Sequence, residues 1–136
     1  AELAFAEAAR GGGVYGRRVR VRALDDELKP DNAVANVKRL LDTDKVFAFF
    51  GNVGSATTAA TAPLLKQAGA PSIAGYAVAD SAREKARGAS YFVRASLGRE
   101  AEALAQLLDT IGIKRIATAV LDNPGGQEAQ ALIGAA

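Results

Sequence analysis

Apolar and polar residues along this chain follow two different rhythms, and the switches between them predict helices and strands in turn. In ELAFAEAAR, Leu3, Ala4 and Ala8 share one side at helical spacing, and Gly11 to Gly13 stop the pattern. A strand is expected from Arg17 to Leu24, where Arg18, Arg20 and Arg22 alternate with Val19, Val21 and Ala23. Pro30 opens a helix to about Asp42, with Ala33, Val34, Val37, Leu40 and Leu41 on its apolar stripe. Val46 to Phe50 reads VFAFF, a strand without polar alternation that should be covered on both faces. A helix from Ser55 to about Gln67, the strand PSIAGY and a looser stretch ASYFVRAS follow. A further helix is expected from about Arg99 to Ile111, then the strand RIATAVL and a short helix after Gly126. Strands that alternate with helices predict parallel α/β layers. Pro63 disturbs the plan, since inside a helix it predicts a kink or a late start.

Composition removes most chemistry from consideration. The 136 residues contain no histidine and no cysteine, so imidazole bases, thiolate nucleophiles, disulfides and the usual zinc ligands are missing. No metal and no cofactor is expected. The chain is 49% hydrophobic and 24% charged, and no apolar run approaches the roughly 18 to 20 residues of a membrane span. The net charge of +2 is concentrated in RGGGVYGRRVRVR. A solvated strand face accounts for those arginines, and no aromatic residues are interleaved for stacking on bases, so no nucleic-acid partner is expected.

Two glycine motifs carry the chemical argument. GGGVYG, Gly11 to Gly16, matches the letters of a dinucleotide fingerprint, but it follows a helix and precedes a strand, the reverse of what that site requires. It reads as a helix stop with a tight turn. GNVGSATT, Gly51 to Thr58, does lie between a strand and a helix, yet it lacks the lysine and the glycine spacing of a phosphate loop. Gly51 and Gly54 allow a sharp turn there, and Ser55 with Thr57 or Thr58 can cap the helix. The same helix N-terminus can hold a carboxylate with its free amides, and Ser55 adds a hydroxyl. Capping alone and anion binding both fit Ser55.

Taken in order, AELAFAEAARGGGVYGRRVRVRALDDELKPDNAVANVKRLL, VFAFFGNVGSATTAATAPLLKQAGAPSIAGY, YFVRAS and KRIATAVLDN resemble the periplasmic solute-binding proteins of branched-chain amino acid ABC importers. The resemblance covers essentially the whole chain. It implies an α/β fold of the type I periplasmic-binding-protein kind, with doubly wound parallel sheets in two lobes that close on a solute. It also implies that residues 1–96 form most of lobe one without its first strand, that 97–136 begin lobe two, and that Ala1 falls inside the first helix. In a doubly wound order beginning 2-1-3, the Arg17 to Leu24 strand would lie at the sheet edge.

Position by position, the resemblance puts Ser55 where the family grips the ligand carboxylate, with Gly54 beside it. Tyr76, Ala77 and Val78 fall on the next binding loop, and Gly125 takes the place of an aromatic in the second lobe. Val78 stands where a threonine is common. Both departures speak against a plain leucine-like ligand, and Gly125 leaves space for a bulkier one, with Tyr76 available as an aromatic wall. The implied function is non-enzymatic delivery of an amino acid or related small carboxylate to an ABC permease, in the periplasm or anchored at the cell surface. A ligand-sensing domain of the same fold in a regulator or receptor is the alternative. A nucleotide-using α/β enzyme is disfavoured by the missing lysine and histidine.

Overall fold

Residue patterns set where the helices of the computed structural model begin and end. Residues 2–135 are described, so the expected passage of a helix through Ala1 lies outside them. Helix α1, Glu2–Arg10, ends in the glycine run as expected, because the amides of Gly11, Gly12 and Gly13 return to the carbonyls of Glu7, Ala9 and Ala8. Helix α2, Pro30–Asp42, begins with proline at its first turn and buries Ala33, Val37 and Leu40. Helix α3, Ser55–Ala68, packs against α2 and ends at Gly69 in a left-handed conformation. It starts at Ser55 and continues through Pro63, so the late start does not occur.

Three short parallel strands form one sheet in the order β1 (Phe49–Phe50), β2 (Ser72–Gly75), β3 (Ser90–Phe92). Their register places Phe49, Ser72 and Ser90 in one row and Phe50, Ile73 and Tyr91 in the next. Phe49 and Ser72 of the first row are buried, and Phe49 joins Val37, Leu40, Leu65, Ala70 and Ala89 in the main core. All three residues of the second row are exposed.

That exposure corrects the expectation for VFAFF. Only Phe49 and Phe50 form strand, Phe47 is 79% exposed, and Phe50 is exposed too, meeting Phe5 edge-on at 6.2 Å. PSIAGY forms β2, but two further predicted strands do not form. Arg17 to Leu24 keeps a single bridge, Val14 to Arg17, and RIATAVL is exposed and unladdered. A strand needs a partner, and neither segment finds one among the described residues.

Helix α4, Asp80–Lys85, was not foreseen, since six residues are too few for a periodic signal. Helix α5 runs over Leu97–Thr110, and α6 over Pro124–Ala135, starting before Gly126 rather than after it. They pack together, and α6 also reaches α3. Among the described residues no helix is long and apolar enough to cross a membrane.

Candidate functional site

The turn between β1 and α3 lies against the turn between β2 and α4, at the carboxyl ends of both strands. Parallel pairing continues past the strands, with the Gly54 amide donating to the Tyr76 carbonyl at 2.9 Å and the Tyr76 amide to Asn52 at 2.7 Å. A register irregularity just before, with Ala74 at a φ of 56°, redirects the chain between Ile73 and Gly75 and so aims the loop that follows. Across the gap the Ala79 amide donates to Ser55 Oγ at 3.1 Å. The Ser55 hydroxyl therefore accepts from the neighbouring loop and keeps its proton to donate.

Carbonyls and amides of that loop are treated unequally. The Ala77 carbonyl accepts from Arg83 Nε at 2.7 Å, the Val78 carbonyl from the Leu97 amide at 2.9 Å and the Ala79 carbonyl from the Arg83 amide at 3.2 Å. The amides of Ala77 and Val78, by contrast, find no acceptor among the described residues, although Ala77 is fully buried. The amides of Ser55, Ala56 and Thr57, in the first turn of α3, likewise find no acceptor among the described residues, as is general at helix starts. Thr58, next on that helix, is buried with its Oγ1 unpartnered among the described residues. Donors without acceptors thus collect on two adjacent loops, an environment that suits an anion.

Tyr76 is half exposed and carries a cation. The Arg94 guanidinium lies 4.7 Å from its ring centre, donates to its hydroxyl and pairs with Glu100. The hydrogen bond with Glu100, before any other cause, pushes the Arg94 pKa above its ordinary value, so the group stays charged. Arg83 holds the loop from behind. Besides Ala77 it donates to the carbonyls of Arg94 at 3.0 Å and Ala95 at 2.8 Å, and it stacks 4.8 Å from the Phe92 ring centre.

Gly125 lies in the first turn of α6, where Asn123 Oδ1 accepts from the Gly126 amide at 2.9 Å. No hydrogen bond among the described residues joins Gly125 to Ser55 or to residues 76–79. The fold thus brings Gly54, Ser55, Tyr76, Ala77 and Val78 together and leaves Gly125 on a separate element. Among the described residues no cluster of acidic side chains could hold a metal ion.

The family model described as "Periplasmic binding protein" matches residues 1–136. The chain belongs to the periplasmic binding protein family. No curated protein matches it. Among solved structures, a possible leucine/isoleucine/valine-binding protein from Rhodopirellula baltica is 27% identical, with a TM-score of 0.88, covering 98% of this chain and 36% of that one. A solute-binding protein of an ABC transporter from Rhodopseudomonas palustris, in complex with 3,4-dihydroxybenzoic acid, is 25% identical with a TM-score of 0.84 and the same coverages, 98% and 36%. The extracellular ligand-binding receptor from Verminephrobacter eiseniae, 23% identical, shares the fold with a TM-score of 0.90, covering 98% of this chain and 38% of that one. The chain therefore spans little more than a third of these structures. Their common architecture is the type I fold of alternating strands and helices.

Arg83, Arg94 and Glu128 are the polar residues of this periplasmic binding protein that sequence reasoning passed over. Their bonds span 6 to 48 residues and leave no local signature. A guanidinium shared among three carbonyls is visible only once the loops are folded.

Proposed function

We propose that this chain is part of an extracytoplasmic solute-binding protein that carries an amino acid or a related small carboxylate to an ABC importer. The observation that carries the reading is the set of unused donors at Ser55, Ala77, Val78 and the first turn of α3. A carboxylate accepts several such bonds at once, and no cationic side chain is required. In this reading Ser55 and Gly54 grip the carboxylate, the amides of Ala77 and Val78 complete the cradle, and Tyr76 walls the solute. Gly125 lies where a second lobe, beginning near Leu97, faces the first. Two relatives point the same way, one named as a possible leucine/isoleucine/valine-binding protein and one holding an aromatic acid. The protein is read as a binder without catalysis, working in the periplasm or anchored at the cell surface, with a membrane permease as its partner.

Calorimetry on the full-length protein tests this, using branched-chain amino acids and hydroxybenzoates as the panel. Ser55→Ala should weaken the bound acid by about 1.5 to 3 kcal/mol, the worth of a hydrogen bond to a charged group. Unchanged affinity would reduce Ser55 to a support for the Ala79 amide.

A further inference from the structure

Helices α4, α5 and α6 are joined by carboxylates that work in opposite directions. The Glu128 carboxylate of α6 accepts the amides of Asp80 at 2.7 Å and Ser81 at 3.3 Å, and the Ser81 hydroxyl at 2.5 Å. Asp80 in turn accepts the Gly98 amide of α5 at 2.8 Å. Gly98 makes that approach possible, since a Cβ there would stand 3.0 Å from Asp80 Oδ2. One short segment, Asp80 and Ser81, thereby gives three donors to α6 and one acceptor to α5. It starts immediately after Ala79, whose amide meets Ser55.

We propose that Glu128 is a positioning residue that clasps the second lobe against the first and holds the 77–79 loop facing Ser55. The proposal rests on the two-lobe reading above, in which residues up to 96 and from 97 onward belong to different lobes. Three features favour a clasp that opens and closes. The bonds to Ser81 are exposed, so water can replace them when the helices part. All the donors to Glu128 come from one turn of chain, so the contact forms or breaks as a unit. The donors to Glu128 are two amides and one hydroxyl at the start of α4, and hydrogen bonds of this kind act only at short range.

The test uses the full-length protein with labels at Lys66→Cys on α3 and Glu102→Cys on α5, both exposed, and measures the distance distribution between them without solute. Glu128→Ala and Ser81→Ala should both move the distribution to longer separations. Glu128→Gln keeps one acceptor oxygen and should move it less. Lys85→Ala, an exposed side chain at the far end of α4, should leave it unchanged, which separates the clasp from any surface change on that helix. With a solute from the panel bound, Glu128→Ala should raise the dissociation rate about ten-fold, since losses of this kind fall mainly on the off-rate. Distributions that match the unaltered protein in Glu128→Gln and Ser81→Ala, with at most a lower melting temperature, would overturn the clasp. Should no acid in the panel bind, the solute reading fails, and the ligand-free distances still decide the clasp.

Discussion

Gly54 sets the geometry of the turn on which the proposed cradle depends. Its φ of 104° and ψ of 138° lie in a region that residues with a Cβ rarely occupy, and a Cβ there would meet Thr57 Oγ1 at 2.7 Å. That hydroxyl is itself held, donating to the Val53 carbonyl at 2.6 Å, so it cannot step aside without losing a bond. Gly54→Ala should therefore cost about 1 to 3 kcal/mol of stability through backbone strain alone, read from urea unfolding. Solute affinity should fall with it, because the displaced turn carries Ser55. An unchanged denaturation midpoint would show that the turn relaxes freely. The sequence GNVGSATT revealed the sharp turn and the helix start at Ser55, since two glycines and a hydroxyl between strand and helix mark both. It could not reveal that Ser55 Oγ is occupied by an amide 24 residues away, because that bond exists only after β1 and β2 pair.

Among the elements, α3 shows where local rules yield to packing. Pro63 lies well inside the helix, removes the amide that would bond the Ala59 carbonyl, and is exposed. Burial of Thr57, Thr61, Ala62 and Leu65 holds the helix together across that break. Pro63→Ala should accordingly raise stability by about 2 to 3 kcal/mol, the interior-proline cost of roughly 3 less the unfolded-state benefit of up to about 1. A thermal melt checks this, and a lower midpoint would mean that the proline ring contributes packing of its own. Helices α1, α2 and α5 were legible because an apolar stripe is a property of the segment itself. Strands are different. Arg17 to Leu24 alternates as a strand should, and RIATAVL is β-branched, yet alternation and composition do not supply the neighbour that a ladder needs. Residues 90–92, described only as a loose stretch, do become β3, because β2 lies beside them.

At the scale of the whole molecule, the same pairing logic leaves an apolar surface open. Strand β1 pairs with β2 and with no other strand among the described residues, and its row of Phe50, Ile73 and Tyr91 is exposed, with Phe47 beside it. An apolar sheet face ending in an unpaired edge is a template for pairing with a second chain. The charge of +2 opposes association only weakly, particularly in salt. Expressed alone, the 136-residue chain should then run above its monomer mass of 14.0 kDa in light scattering. Phe47→Lys combined with Phe50→Lys places like charges on that edge and removes two large apolar groups. The double variant should return the chain toward a monomer, while Tyr15→Lys, a fully exposed aromatic away from the sheet, should not. Because Phe49 and the core around it are untouched, the far-ultraviolet circular dichroism of the double variant should match that of the parent chain. A parent chain that is monomeric at micromolar concentration would show that this face is closed off by contacts within the chain itself.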